Sequence, residues 1–346
     1  MLEVKKQGIV LSKTELVFEN EGVLNPAAIM EDGAIHLFYR AVSMGNHSSI
    51  GHCKMEDPLT VKERSNKPIL TPEFDYESQG VEDPRIVKID DLYFITYTCY
   101  DGVNALGALA VSKDLKNFEK KGIIVPLITY DELCELTESI GLNDKYYRVN
   151  ESGHIHKKEG QKILVWDKNV IFFPRRINGK LFFLHRLRPD IQIVAVNDLL
   201  ELTSEFWHNY FRHFNEHILL TSKYKHEVSY IGGGCPPIET EHGWLLIYHG
   251  VQDTVKGYVY SACAALLDLD NPAKEIARLP VPLFSPELDW ELKGEVNNVC
   301  FPTGAVLIED TLYIYYGAAD ERIACASVSF SALIKELLDN TIVNAK

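Results

Sequence analysis

The sequence has 346 residues, of which 46% are hydrophobic and 24% are charged, a balance typical of a globular protein with an ample core. The formal net charge of −14 argues against a nucleic-acid partner, because phosphate backbones are bound by basic surfaces. No stretch approaches the roughly 18 consecutive apolar residues of a membrane-spanning helix, so no contact with a membrane is predicted.

The cysteines and the amino-terminal residues indicate the cellular compartment in which the protein is expected. The sequence contains 7 cysteines, an odd number, and most of them lie in apolar, strand-like segments, which favours free thiols over disulfides. The amino-terminal residues show no uninterrupted apolar segment followed by a small-residue cleavage site. We therefore expect a cytoplasmic protein.

One pattern recurs along the chain: a proline, a short strand, a polar turn and a strand rich in aromatic residues. Its clearest copy is residues 80–102, where Asp90 and Asp91 separate two β-branched and aromatic segments, as in a tight hairpin. The spacing between copies is nearly even, apart from one longer interval after the second copy. The five copies contain Pro26, Pro84, Pro174, Pro237 and Pro302.

The repeat predicts the fold. A strand of small residues follows each pair, and a weaker fourth strand follows that one. Four strands per repeated unit are typical of a β-propeller, so we predict an all-β, five-bladed propeller that forms a single domain over residues 1–346. A β-sandwich or a β-solenoid fits less well, because neither repeats a cassette of four strands. Helices are expected in residues 129–140, 199–214 and 331–338, the first within an insertion of about residues 129–164 between the second and third blades.

A propeller places equivalent positions of its blades around one channel. Asp83 is the most distinctive candidate there, because Pro84 favours an extended conformation at Asp83 and so places its carboxylate just before a strand. Charged side chains at the ends of apolar strands are costly to bury unless they are paired or bind a ligand. The other polar residues expected around the channel are Asn25, Arg40, Arg175, His185, Arg186, Glu227, Tyr230, Tyr248, His249 and Asp320.

Some of these residues also have a purely structural interpretation. Arg40 could pair with a neighbouring blade, and His185 with Arg186 could be an ordinary strand-end pair. His154 and His156 have the spacing of metal ligands, but no third ligand lies nearby, so no metal site is predicted. Carboxylates and aromatic rings in a funnel indicate cleavage of a glycosidic bond, with a sugar-binding protein that lacks catalysis as the alternative.

Four motifs in order resemble glycoside hydrolase family 130. They are EDPRIVKIDDLYFITYTCYDG (82–102), FFPRRINGKLFFLHR (172–186), IGGGCPPIETEHGWLLIYHGV (231–251) and FPTGAVLIEDTLYIYYGAAD (301–320). The resemblance implies a five-bladed propeller that cleaves β-mannosides with inversion, with Asp83 of the EDPR motif as proton donor through a hydroxyl of the bound mannose. It also implies that the sugar is contacted by Asn25, Arg40, His185, Tyr248 and Asp320.

The family contains both hydrolases and phosphorylases. In the phosphorylases, basic side chains hold inorganic phosphate, and one of them is a lysine just before the IGGG-like motif. Tyr230 stands at that place here, and Glu227 lies three residues earlier. We therefore expect an inverting β-mannosidase acting on manno-oligosaccharides, with Asp83 as the acid, Glu227 as the base that activates water, and no cofactor.

Phosphorolysis that releases mannose 1-phosphate is the alternative. Lys168 and Arg175 could bind inorganic phosphate as a co-substrate, and a cytoplasmic location would favour this route because the sugar phosphate is used there. The insertion at residues 129–164 is expected to shape the subsites for the leaving sugar or to form a contact in a homo-oligomer.

Overall fold

The structure is a computed structural model that describes residues 2–151 and 162–341. It consists mainly of antiparallel strands, which form sheets of 4, 12 and 5 strands. For description we divide the strands in chain order into five units that follow the repeats of the sequence. Within each unit, most strands that follow one another in sequence are paired. The prediction of a mostly β fold is therefore confirmed.

The strands are numbered in chain order, and β1 (Val4–Leu11) precedes the first unit. The first unit contains β2 (Gly22–Glu31), β3 (Ala34–Ser43), β4 (His47–Asp57) and β5 (Thr60–Arg64). The second contains β6 (Gly80–Ile89), β7 (Leu92–Tyr100), β8 (Ala105–Ser112) and β9 (Phe118–Ile123). The third contains β10 (Asp167–Phe172), β11 (Leu181–Leu187), β12 (Ile191–Val196) and β13 (Ile218–Leu220).

The last two units complete the set of strands. The fourth contains β14 (Tyr230–Gly233), β15 (Ile238–Thr240), β16 (Gly243–Thr254), β17 (Gly257–Leu267) and β18 (Glu275–Arg278). The fifth contains β19 (Cys300–Ile308), β20 (Thr311–Ala318) and β21 (Arg322–Ser329). Strand β1 pairs with β21, so strands from the first and last parts of the chain share the 4-stranded sheet.

The first strands of the units lie against one another. Strand β2 contacts both β6 and β19, β6 contacts β10, and β10 contacts β14. Single parallel bridges also connect units, from Ser48 to Gly80 and from Leu106 to Asp167. Residues at equivalent positions on these first strands therefore come close together, and this contact between units positions the site described below.

In the part of the chain that the structure describes, five α-helices lie outside the sheets: α1 (Tyr130–Thr137), α2 (Asp144–Asn150), α3 (Ser204–Arg212), α4 (Asp289–Leu292) and α5 (Phe330–Asp339). The side chains of Thr129, Thr203 and Ser329 cap the amino ends of α1, α3 and α5, which overlap the three predicted helical segments, whereas α2 and α4 were not predicted. None of the helices in the described ranges combines the length and hydrophobicity that crossing a bilayer requires. The predicted non-metal pair His154 and His156 lies outside the described residues.

A buried glutamate recurs in four of the five units. Each of these carboxylates accepts a hydrogen bond from a tyrosine on the second long strand of its unit and pairs with a basic side chain. Such groups can be buried because their charge is paired and hydrogen-bonded. The four sets are Glu19, Tyr39 and Arg64; Glu77, Tyr97 and Lys120; Glu227, Tyr248 and Arg278; and Glu291, Tyr316 and Lys6.

Candidate active site

Three residues with left-handed backbone conformation mark one end of the first strands. Asn25 has a φ of 49°, Asp83 of 50° and Asn169 of 55°, and each lies where the pairing register of its strand shifts, as in a β-bulge. Asparagine and aspartate tolerate this conformation better than other residues with a side chain. We call these three the bulge residues. The Nδ2 of Asn25 donates a hydrogen bond to Oδ1 of Asp83 over 2.7 Å, so the first two units meet here.

The neighbouring strand of each unit adds a second polar position. Arg40 pairs with Leu24, Arg186 with Lys168, and His249 with Gly232, so in the first and third units this position lies opposite the residue that precedes a bulge residue. Residues at equivalent positions of these strands in different units therefore bring arginine and histidine side chains to the same part of the site.

Arg40 organises the acidic side of the site. Its Nη2 lies 2.8 Å from Oε1 of Glu82, its Nη1 lies 4.0 Å from Oδ1 of Asp83, and its Nε donates to Oγ of Ser48 over 2.9 Å. Burial opposes the charged form of Asp83, but the positive charges of Arg40 and Lys168 outweigh it, and the pKa of Asp83 is lowered. Asp83 is therefore ionised in the absence of ligands.

Asp320 is the second carboxyl group of the site, and its surroundings raise its pKa, whereas those of Asp83 lower the pKa of Asp83. Burial and the negative charge of Asp83 raise the pKa of Asp320 to about 6. The backbone of Asp320 is also left-handed, with a φ of 51°. Two neighbouring carboxyl groups with pKa values displaced in opposite directions are typical of sites for acid–base chemistry.

Basic groups without counterions occupy the other side of the site. Arg186 is only 6% exposed, its Nε has no hydrogen-bond partner, and it forms no ion pair with any described residue. Burial and the nearby Arg188 lower the pKa of Arg186 to about 10. Burial likewise lowers the pKa of Lys168, whose ammonium lies 4.9 Å from the ring centroid of Trp166.

Three further groups face these cations. Both ring nitrogens of His249 are buried without a hydrogen-bond partner, and burial and the charge of Arg186 hold its pKa well below the usual value. Nδ2 of Asn169 is also buried and unpartnered. The guanidinium of Arg188 lies 4.5 Å from the ring centroid of Tyr230. We call Lys168, Asn169, Arg186, Arg188 and His249 the anion pocket. Arg186 is buried and Lys168 and Arg188 are half-buried, and cations in such a place that form no ion pair with a described residue favour a negatively charged ligand.

The structure brings together most of the predicted channel residues but not Arg175. Its guanidinium forms an ion pair with Glu239 at 2.6 Å. Glu239 lines a cavity together with Lys88, which lies roughly 16 Å along β6 from Asp83 at about 3.3 Å per residue. The prediction for Arg175 is corrected: the bulge of the third unit is at Asn169 and not at Pro174, so Arg175 lies towards the opposite end of the strands.

His185, Tyr248 and Glu227 are as fully buried as His249, but unlike His249 they have their polar side-chain atoms hydrogen-bonded within the protein. Nδ1 of His185 lies 2.7 Å from Oδ2 of Asp167, and Nε2 lies 2.8 Å from the hydroxyl of Tyr210. Tyr248 donates its hydroxyl hydrogen to Glu227. His185 and Tyr248 thus stand one residue before the ligand-facing positions Arg186 and His249, and we correct their interpretation from sugar-binding to supporting residues.

The interpretation of Glu227 as a general base is also corrected. Its Oε2 accepts hydrogen bonds from the backbone N–H groups of Lys223 and Tyr224, at 2.7 and 3.0 Å, and lies 3.3 Å from Nη1 of Arg278. Its Oε1 accepts from Tyr248. These donors leave no oxygen free to activate a water molecule. His226 and Cys263 lie near this carboxylate, within 4.8 Å, but for the same reason the group offers no metal site.

Sequence reasoning missed Asn169, Arg188 and Tyr260. The hydroxyl of Tyr260 is hydrogen-bonded to that of Tyr230, which holds the ring beneath Arg188. The sequence did contain a signal for Arg188. It lies two residues after Arg186 at the end of a strand, and side chains two residues apart in a strand point to the same face of the sheet.

Several known proteins resemble this chain in sequence. A family model described as "beta-1,4-mannooligosaccharide phosphorylase", that of glycoside hydrolase family 130, matches residues 5–339. A 1,2-beta-oligomannan phosphorylase of Thermoanaerobacter sp. (strain X514) is 34% identical over 94% of this chain and 97% of its own length. A beta-1,2-mannobiose phosphorylase of the same organism is 36% identical over 90% of this chain and 91% of its own length.

A solved structure shows the same fold. The beta-1,2-mannobiose phosphorylase from Listeria innocua, in complex with beta-1,2-mannobiose, superposes with a TM-score of 0.73 over 97% of this chain and 99% of the other, at 23% identity. The expectation of a hydrolase is wrong, because the curated relatives that cover most of this chain are named as phosphorylases.

Proposed function

This chain belongs to glycoside hydrolase family 130, and from that premise we propose that it is a β-mannoside phosphorylase. It transfers the terminal mannose of a β-1,2-linked manno-oligosaccharide to inorganic phosphate, with inversion. The β-1,2 linkage is preferred to β-1,4 because three relatives that cover at least 90% of this chain are named for it. A cytoplasmic location, where the sugar phosphate can be used directly, belongs to the same proposal and rests on the sequence alone.

The observation that carries the proposal is the anion pocket beside Asp83. Lys168 and Arg186 lie in register on paired strands, and neither forms an ion pair with a described residue. A hydrolase that uses neutral water has no need of unpaired cations in this place. Phosphate is a strong acceptor for guanidinium and ammonium groups, and its charge would compensate for the cost of burying them.

The architecture that supports this site is part of the proposal. The contacts between the first strands, from the first unit through the fifth, suit a five-bladed propeller in which each unit is a blade and the chain is one domain. The bulge residues would then lie around the channel, with the insertion near residues 129–164 at the edge of the site. A homo-oligomer that uses this insertion is also proposed.

The reaction follows from the charges. Asn25, Arg40 and Asp320 hold the terminal mannose, and phosphate in the anion pocket attacks its anomeric carbon as the bond to the leaving oxygen breaks. Phosphate next to Lys168 would offset the positive charge that keeps Asp83 ionised, and so would raise the pKa of Asp83. Asp83 can then supply the proton to the leaving oxygen through a mannose hydroxyl, and inversion gives α-mannose 1-phosphate.

The test is incubation with β-1,2-mannobiose, with and without phosphate, with detection of mannose 1-phosphate. Arg186→Gln should lower kcat/KM for phosphate about 10- to 100-fold, as expected for the loss of charge-assisted hydrogen bonds. Arg175→Gln is the matched control and should have no effect, because Arg175 is paired with Glu239. Release of free mannose without phosphate, at an unchanged rate in Arg186→Gln, would contradict the proposal.

A further inference from the structure

Arg188 lies in a turn that the strand ladders do not hold. It follows β11, whose pairing with β12 and β10 ends at His185 and Leu187, before the turn begins. The Arg188 side chain lies over the ring of Tyr230 and forms no hydrogen bond or ion pair within the described part of the chain. The place of its charge in the anion pocket therefore depends on the groups that fix the turn.

Helix α2, which belongs to the insertion, supplies two of these groups. Nδ2 of Asn150, the last residue of the helix, donates hydrogen bonds to the backbone oxygen of Arg188 over 3.0 Å and to that of Tyr146 over 2.8 Å. The hydroxyl of Tyr146 donates to Oδ2 of Asp190 over 2.9 Å, and both of these side chains are buried. Residues 188 and 190 of the turn are therefore attached to the same helix.

The same helix also contacts the segment that leads to Tyr230. Nζ of Lys145 donates a hydrogen bond to the backbone oxygen of Val228, two residues before Tyr230, over 2.7 Å. The backbone N–H of Ile231 donates to the backbone oxygen of Pro189 over 2.9 Å, which joins the turn directly to β14. Helix α2 therefore connects the turn that carries the cation with the strand that carries the ring beneath it.

We propose that Tyr146 and Asn150 are positioning residues for phosphate, and that they act through Arg188. This inference rests on the proposed function, in which phosphate is the anion that Arg188 binds. An arginine side chain loses conformational entropy when it is fixed on a ligand, so a turn that already holds its backbone in place lowers the cost of binding. The insertion thus contributes to the affinity for phosphate without contacting it. Binding energy that is equal before and during the reaction changes KM and leaves kcat unchanged.

The test measures the KM for phosphate at saturating β-1,2-mannobiose. Asn150→Ala should raise it about 3- to 10-fold, as expected for the loss of one neutral hydrogen bond, while kcat and the KM for β-1,2-mannobiose stay within about twofold of the parent. Tyr146→Phe, which loses only a hydroxyl, should act in the same direction. Asn215→Ala is the matched control: Nδ2 of Asn215 donates to the backbone oxygen of Ile140 over 2.8 Å, so it also joins the insertion to the third unit, but not at the turn. It should leave the KM for phosphate unchanged.

A double-mutant cycle separates positioning from a general structural role. Arg188→Gln alone should raise the KM for phosphate, and Asn150→Ala should cause no further rise in that background. An equal rise in both backgrounds, or an unchanged KM for phosphate in Asn150→Ala, overturns the inference even if mannose 1-phosphate is formed.

The proposed function fails in a different way, through release of free mannose in place of mannose 1-phosphate. Crystal structures of the parent and Asn150→Ala then test the positioning without turnover. A shift of the Arg188 guanidinium away from the ring of Tyr230 in the variant supports it, and a guanidinium that keeps its distance of 4.5 Å from the ring centroid overturns it.

Discussion

Replacement of Glu227 by glutamine distinguishes a structural carboxylate from a catalytic one. The substitution keeps the size of the side chain but removes its charge, and it places an amide nitrogen where one oxygen accepted hydrogen bonds. Glu227 is paired with Arg278 in a site where neither side chain is more than 1% exposed. The variant therefore leaves a buried guanidinium without one of its two carboxylate partners, the other being Glu275.

The size of the effect follows from this burial. Loss of one partner of a buried ion pair costs about 3–5 kcal/mol. At about 2.1 cal/mol/K per residue, the unfolding entropy of a chain of 346 residues is roughly 0.7 kcal/mol/K. The Tm of Glu227→Gln should therefore fall by about 4–7 °C, while kcat/KM at 25 °C stays within about threefold of the parent.

Glu77 offers a matched control within the chain. It accepts from the backbone N–H groups of Glu73 and Phe74, from Tyr97 and from Lys120, so it repeats the surroundings of Glu227 in the second unit. Thermal unfolding and mannose 1-phosphate release, measured on both variants, should give similar losses of Tm and little loss of activity. If Glu227→Gln abolished turnover at an unchanged Tm while Glu77→Gln remained active, the structural interpretation would be refuted.

Two other predictions concern the carboxyl groups of the site. Asp83→Asn should lower the rate of mannose 1-phosphate release about 10²–10⁴-fold while the protein remains folded at 25 °C, and near-normal turnover would remove Asp83 from the mechanism. The pKa of Asp320 is raised to about 6 in the folded protein, whereas an unfolded chain releases this proton near pH 4. Between these pH values the folded protein therefore binds more protons than the unfolded chain. The contribution of Asp320 to the stability of the fold accordingly falls as the pH rises from about 4 to about 6. Asp320→Asn should therefore raise the Tm by about 4 °C at pH 7 and hardly at all at pH 4, and an equal change at both pH values would contradict the raised pKa.

Two of the bulge residues could be predicted because a proline follows each of them. Asn25 precedes Pro26 and Asp83 precedes Pro84, so the two positions were marked in the sequence. The extended conformation predicted for Asp83 is wrong, because its φ is 50° and it lies at a bulge within β6 rather than before a strand. Asn169 precedes Val170, so no proline follows it, and nothing in the strand DKNVIF (167–172) marks the extra residue of a bulge. The sequence analysis therefore chose Pro174, and with it Arg175, because the register of a strand depends on its partners rather than on its own residues.

The role of Glu227 was misjudged for a different reason. A buried acid that stabilises a loop and an acid that activates water have the same local sequence, and only their hydrogen-bond partners distinguish them. A signal was nevertheless available in the repeat. Residues 72–77 (PEFDYE) and 286–291 (PELDWE) end in the structural glutamates of the second and fifth units, and residues 222–227 (SKYKHE) end in Glu227 at the same place before the next strand.

Whether water or phosphate acts as the nucleophile depends on the net charge of the pocket, and charged side chains can reach the pocket from more than one strand. Tyr230 in place of a lysine suggested that a phosphate-binding cation had been lost. Arg188 lies over the ring of Tyr230, however, and restores a positive charge from the neighbouring unit. On the acidic side, Glu82 is neutralised by Arg40. Lys168, Arg186 and Arg188 supply three positive charges against the two negative charges that Asp83 and Asp320 supply when both are ionised. The site therefore keeps an excess of positive charge that an anionic phosphate would balance and neutral water would not, so the pocket as a whole, and not the residue at any one position, favours phosphorolysis.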